Sequence, residues 1–190
     1  MTISASQPTD ARVVANIFLT SARRDGERLD LARTMHLVYF AHGWHLGLAG
    51  EPLLDEEVQA RDGGPIVGSL YEEGRRIGSN PIPDGFWFPG EDGSVVVAFA
   101  AAAAADGRGA LVERIWSTYG RLADLRLAQI VAGSGTPWRM TWLANVAGLR
   151  QLAIRNADIE RYFVAQRHRA EVTTNARGLD AIRGENPETM

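Results

Sequence analysis

From Leu31 to Ala49 the chain is apolar on nearly every side of a helix, and no other segment constrains the fold as strongly. Leu31, Met35, Val38, His42 and His45 fall in one stripe at helical spacing, Leu37, Ala41, Trp44 and Leu48 in a second, and Phe40 lies near both. A helix on a protein surface keeps a polar face toward water, whereas one without such a face has to be surrounded. This segment is therefore expected at the centre of a domain. Asp30 stands where an N-cap is needed, and Gly50 followed by Pro52 stops the helix.

The flanking sequence supplies elements to surround it. Asp10 precedes a helix through Val13, Val14, Ile17, Phe18 and Ala22, which Arg24-Asp25-Gly26 ends. Leu53-Leu54 and Val58-Gln59-Ala60 read as short extended pieces with Asp55-Glu56-Glu57 turning between them. Gly63-Gly64-Pro65 reads as a turn leading into a helix from about Val67 to Arg76. Phe86-Trp87-Phe88 and Val95 to Phe99 flank a Pro-Gly-rich loop, as a hairpin does. The run Ala100 to Ala105 fits a strand end or a helix. Ala110 to Tyr119 and Leu122 to Ala132 read as helices, Gly133 to Pro137 as a loop, and Asn156 or Asp158 as the start of a last helix through Gln166. The expected fold is mainly α with a small antiparallel β element (α+β). The expected organisation is a flexible N-terminus over residues 1–9, one domain over 10–168 and a mobile C-terminal tail over 169–190.

Composition removes several classes of function. With no cysteine there is no disulfide, thiolate nucleophile or all-Cys zinc site, which suits a reducing cytoplasm. A formal charge of −3 argues against a general nucleic-acid binder, which needs a cationic surface to displace counterions from phosphate. No basic start followed by a long apolar run marks a signal peptide. The longest apolar stretch, Val95 to Ala105, falls short of the roughly 20 residues that cross a bilayer.

The residues that can do chemistry form no assembled set. His42 and His45 sit three apart and could share a metal, but the zinc-protease spacing is four with a Glu between, and here Gly43-Trp44 intervene. His36 belongs to another face. Gly63-Gly64-Pro65 lacks the Lys-Ser/Thr ending of a phosphate loop. Ser21, Ser69, Ser117 and Ser134 lie outside any nucleophile elbow. Glu56-Glu57 and Glu72-Glu73 could in principle exchange protons, but adjacent side chains diverge and are ordinarily solvated. The five tryptophans, Trp44, Trp87, Trp116, Trp138 and Trp142, are more than a core of this size needs. One or two beside arginines such as Arg61, Arg75, Arg76 or Arg139 would suit protein recognition.

Several segments, taken in order, resemble a known family. Val14-Ala15-Asn16-Ile17-Phe18-Leu19 is similar to an opening Val-Ala-Asn-Tyr-hydrophobic-Leu, and His36-Leu37-Val38-Tyr39-Phe40-Ala41-His42-Gly43-Trp44 to Lys-Leu-Leu-Tyr-Phe-Ala-Gln-Gly-Trp. Glu51-Pro52-Leu53-Leu54, Gln59-Ala60, Gly64-Pro65-Ile66-Val67, Leu70-Tyr71, Tyr119-Gly120, Leu127, Pro137-Trp138 and Ile159 to Phe163 follow in the family's order. The pattern, over about residues 11 to 165, resembles the Panacea domain of GepA-type phage-associated proteins and SocA-type proteolytic adaptors. It departs at His36, His42, Arg61 and Gly63, where the family has Lys, Gln, Trp and an aromatic. The His usual before the Pro-Trp loop is not evident near Ile130-Val131.

The resemblance implies a non-enzymatic antitoxin without cofactor or metal. Such a protein binds a cognate toxin directly and, in SocA-type members, also delivers it to the ClpXP protease through ClpX. Arg61, Tyr71, Arg75 and Trp138 are the residues expected to meet the partner. The alternatives are a metal-dependent hydrolase using His42 and His45, and a DNA-binding autorepressor.

Overall fold

The Asp30 carboxylate accepts the Arg33 backbone N–H at 2.8 Å and so opens the central helix, α2 (Leu31–Ala49), which Gly50 closes at φ 73°. In the computed structural model, which describes residues 7–78, 80–83, 85–89, 95–97, 108–149 and 152–183, this helix is buried along almost its whole length. Around it stand α1 (Ala11–Arg24), α3 (Gly68–Gly74), α4 (Arg108–Tyr119), α5 (Asp124–Val131) and α7 (Asn156–Arg183). The architecture is mainly helical with small antiparallel β pairs, as its apolar centre requires.

The closest approach is that of α7. A Cβ built on Gly43 would stand 2.1 Å from Phe163 Cε2, and one on Gly47 would stand 2.8 Å from Phe163 Cβ. Only glycine lets the Phe163 ring lie against the α2 backbone. There it meets the rings of Tyr39, Trp44 and Tyr162 edge-on, with centroids 5.3 to 6.2 Å apart. Dispersion is strongest at such short separations, so this aromatic knot is the main join between the middle of the chain and α7.

The first β pair differs from the sequence reading. Strand β1 (Val58–Arg61) pairs antiparallel with β2 (Gly64–Val67), Arg61 opposite Gly64, leaving Asp62-Gly63 as a two-residue loop. Asp-Gly is a preferred hairpin loop because its backbone twist matches that of the flanking strands. Gly64-Pro65 therefore lies in a strand, and α3 begins only at Gly68. Its exposed N–H groups are met from outside the helix. Glu56 accepts the Ser69 backbone N–H at 3.0 Å and also the Ser69 hydroxyl. On the other edge of β1, Ala60 N–H donates to Leu152 O and Ile154 N–H to Val58 O, so residues 152–154 run beside the hairpin before α7.

A second antiparallel pair joins β3 (Trp87–Pro89) to β4 (Val95–Val97), as the hairpin reading required. It is tied to α1 by Asn16, whose amide receives the Phe86 N–H at 2.8 Å and donates to the Phe86 carbonyl at 2.9 Å. The run Ala100 to Ala105 lies outside the described residues, as do 1–6 and 184–190. Thr9, placed in the flexible N-terminus, is held by backbone hydrogen bonds with Leu53 and Asp55. The tail boundary drawn at residue 169 falls inside α7, which continues to Arg183.

One helix was not expected. Residues Pro137–Ala144 form α6, capped by Thr136, whose hydroxyl oxygen accepts the Arg139 N–H. Proline at the first helical position costs nothing, because that N–H has no partner within the helix. A kinked continuation over 145–149, with Gly148 at φ 88°, leads away from it.

Candidate functional site

The histidines singled out for metal are parts of the frame. His42, fully buried, accepts the Leu54 backbone N–H at Nδ1 (3.3 Å), while its Nε2 lies 3.0 Å from Asn156 Oδ1. The accepting Nδ1 carries no proton, so Nε2 carries it and donates to Asn156. Both nitrogens are committed and no lone pair is left for a metal. Burial is the main cause that pushes the imidazole down to about 4, and the Asn156 hydrogen bond opposes it only in part. His45 donates from Nδ1 to the Glu51 carbonyl at 2.8 Å, and its Nε2 has no partner among the described residues. No group of three His, Asp or Glu side chains that could hold a metal occurs among the described residues. The hydrolase alternative built on His42 and His45 thus finds one of its two ligands already consumed.

The hydroxyls fare similarly. The Ser69 hydroxyl donates to Glu56, Ser21 donates to the Ile17 carbonyl and to Glu113 at 2.7 Å, and Ser117 donates to the Arg114 carbonyl. Among the described residues none is hydrogen-bonded to a histidine. His36 is buried beside Gly64, and burial holds it below its ordinary value.

The residues expected to meet a partner converge in part. Arg61 on β1 and Tyr71 on α3 line a cavity of about 710 Å³ over the hairpin, with Gln59, Ile66 and Glu72 around them. Arg61 is held by two hydrogen bonds to Gln59 Oε1, at 3.1 and 2.9 Å, and so presents a fixed guanidinium. Tyr71 is 42% exposed. Arg75 pairs with Glu72 at 3.3 Å and does not itself line the cavity. Trp138 does not reach it: the side chain is buried one layer behind.

The tryptophan that does line the cavity is Trp142, which stacks on Trp138 with ring centroids 6.1 Å apart and planes 7° from parallel. The spacing Trp138–Trp142, one helical turn, would have placed both on one face had Thr136-Pro137 been read as a helix start. On another face of α6 and its continuation, Met140, Leu143 and Val146 are each at least half exposed, at 60, 50 and 67%. They recur every third residue, so they lie on one side of the turn.

Comparison with profiles of known protein families, with curated proteins and with solved structures finds no match to this chain. Function is therefore inferred from the chemistry of the site itself. Among the described residues no helix is long and apolar enough to cross a membrane. An arginine, a tyrosine and a stacked tryptophan around a groove, next to an apolar stripe, can bury aromatic surface and hold a carboxylate.

Proposed function

We propose that the chain is an antitoxin of the Panacea kind, which neutralises a cognate toxin by binding it directly across α6 and the β1–β2 hairpin. The observation that carries this reading is the convergence of Arg61, Tyr71 and Trp142 on one groove beside the exposed Met140, Leu143 and Val146. Arginine, tyrosine and tryptophan dominate binding energy where proteins meet, and contiguous exposed apolar surface marks such places. The resemblance gains support from its departure at His42. The family's glutamine has one amide acceptor for the Leu54 N–H and one amide donor for Asn156, so the exchange preserves both hydrogen bonds.

Delivery of the toxin to ClpXP is the finer form of the proposal. It requires a second surface, for ClpX, besides the one that holds the toxin. Both partners place the reaction in the cytoplasm.

Co-expression with the adjacent reading frame is the test. The neighbour should arrest growth alone and be harmless beside this chain. Replacing Leu143 with Asp together with Trp142→Ala should abolish rescue and weaken the purified complex at least about thirtyfold, the scale of a lost hot spot. A neighbour that is harmless alone, or that stays toxic beside this chain, refutes the reading.

A further inference from the structure

Every residue of α2 from Thr34 to Leu48 is buried except Trp44 and Leu48, which stand one turn apart and are partly exposed. The cause is an opening in the ring of helices around α2. Helices α4 and α7 each pack on α2 but scarcely on each other. Between them runs a groove of about 580 Å³, with Trp44 and Leu48 in its floor. One wall is the α4 stripe Leu111, Ile115 and Thr118, whose i, i+4, i+7 spacing puts three side chains on one face over about 10 Å. Trp44 is fixed in the floor by its indole N–H, which donates to the Tyr119 hydroxyl at 3.2 Å.

The charges at the rim are unequally matched. On α7, Arg167 donates to the Gly47 carbonyl at 2.9 Å and stands 3.9 Å from Glu171, which His168 also approaches at 3.4 Å. On α4, Arg114 is exposed, and its guanidinium has no hydrogen-bond or ion-pair partner among the described residues. The groove therefore offers an apolar floor and one unpaired cation. A helix apolar on every side, as α2 is, is stable only when surrounded, and a helix laid between α4 and α7 completes the surround. Grooves of this kind take the apolar face of an amphipathic helix, with anchors at i, i+3 or i+4, and i+7.

We propose that this groove binds an amphipathic helix of a partner protein, its apolar stripe on Trp44 and Leu48 beside Leu111 and Ile115, and a carboxylate at its edge against Arg114. The groove shares no residue with the one over the β1–β2 hairpin, so the proposal does not rest on the antitoxin reading.

Selection of a displayed library of random peptides, each long enough for about four helical turns, against the full chain tests it, with the Leu48→Glu variant for counter-selection. Enriched peptides should carry apolar residues at i, i+4 and i+7 and a net negative charge. Synthetic copies should bind with Kd below about 100 μM and gain helical circular dichroism on binding. Arg114→Glu, at an exposed and unpaired position, should keep the melting temperature and weaken these peptides at least about tenfold. Replacing the peptide's matching Glu with Lys should restore binding to that variant. Ala170 is exposed and lines the same groove, so Ala170→Trp should fold normally and block binding. A selection that yields no peptide dependent on Leu48 overturns the proposal. So do enriched peptides that are basic or lack the helical period, affinity indifferent to Arg114→Glu, or binding that survives Ala170→Trp. Sedimentation of the chain alone as a dimer that Leu48→Glu dissociates overturns it as well, because a second copy then fills the groove.

Discussion

Acidification should strain this fold through His42, and the size of the effect follows from its surroundings. In the folded chain the imidazole is buried, neutral and committed at both nitrogens, with its pKa pushed down to about 4 from 6.5. In the unfolded chain it takes up a proton near 6.5. Between the two values the unfolded state binds more protons, so stability is complete above 6.5 and declines as pH falls toward 4. That interval, at 1.36 kcal/mol per pH unit, corresponds to roughly 3 kcal/mol, a large part of a small domain's stability. His42→Gln removes the titration and keeps an acceptor for Leu54 and a donor for Asn156. Urea unfolding of both proteins at steps from about pH 7.5 to about pH 4 isolates the difference, because His36 and every carboxylate are common to both. The wild type should lose roughly 3 kcal/mol more than the variant across this window. Parallel curves would refute the claim that His42 is held neutral between Leu54 and Asn156.

Three further substitutions probe the frame that carries the groove. Gly43→Ala gains about 1 kcal/mol of helix propensity, but its Cβ would meet the Phe163 ring, which three other rings hold in place. Overpacking of about 1–3 kcal/mol or more should win, and a lower urea midpoint would show it. Gly64→Ala puts a side chain at φ 144° and 3.0 Å from His36 Nε2. It should cost about 1–3 kcal/mol by thermal unfolding and quicken amide exchange in the hairpin. Thr136→Ala removes the α6 cap and leaves the Val131 carbonyl without its 2.6 Å donor. A loss of about 1–2 kcal/mol is expected, with Trp142 fluorescence reporting a loosened groove.

Much of the frame was legible because it depends on neighbours in sequence. The boundaries of α1 and α2 follow from Asp10, Asp30 and Gly50, whose side chains or backbone freedom act on the next few residues. Two local signals, Asp62-Gly63 as a hairpin loop and Thr136-Pro137 as a helix start, lie beside the more conspicuous Gly63-Gly64-Pro65 and Gly133-Ser134-Gly135. In β2 and α6 the quieter signal sets the structure. Of the expected contact residues, Arg61 and Tyr71 line the groove with Trp142, and Arg75 and Trp138 do not.

The segment from Leu31 to Ala49 marks the division. Its apolar circumference requires by itself that the helix be surrounded, because no face of it is compatible with water. Which elements do the surrounding, and what each polar atom on the helix does, depend on residues far along the chain. Gly43 and Gly47 acquire meaning from Phe163, His42 from Leu54 and Asn156, and Gly64 from His36. Periodicity and capping act over one or two turns and can be read from adjacent letters. Hydrogen-bond partners and ring contacts across a hundred residues are set only when tertiary packing brings them within a few ångströms.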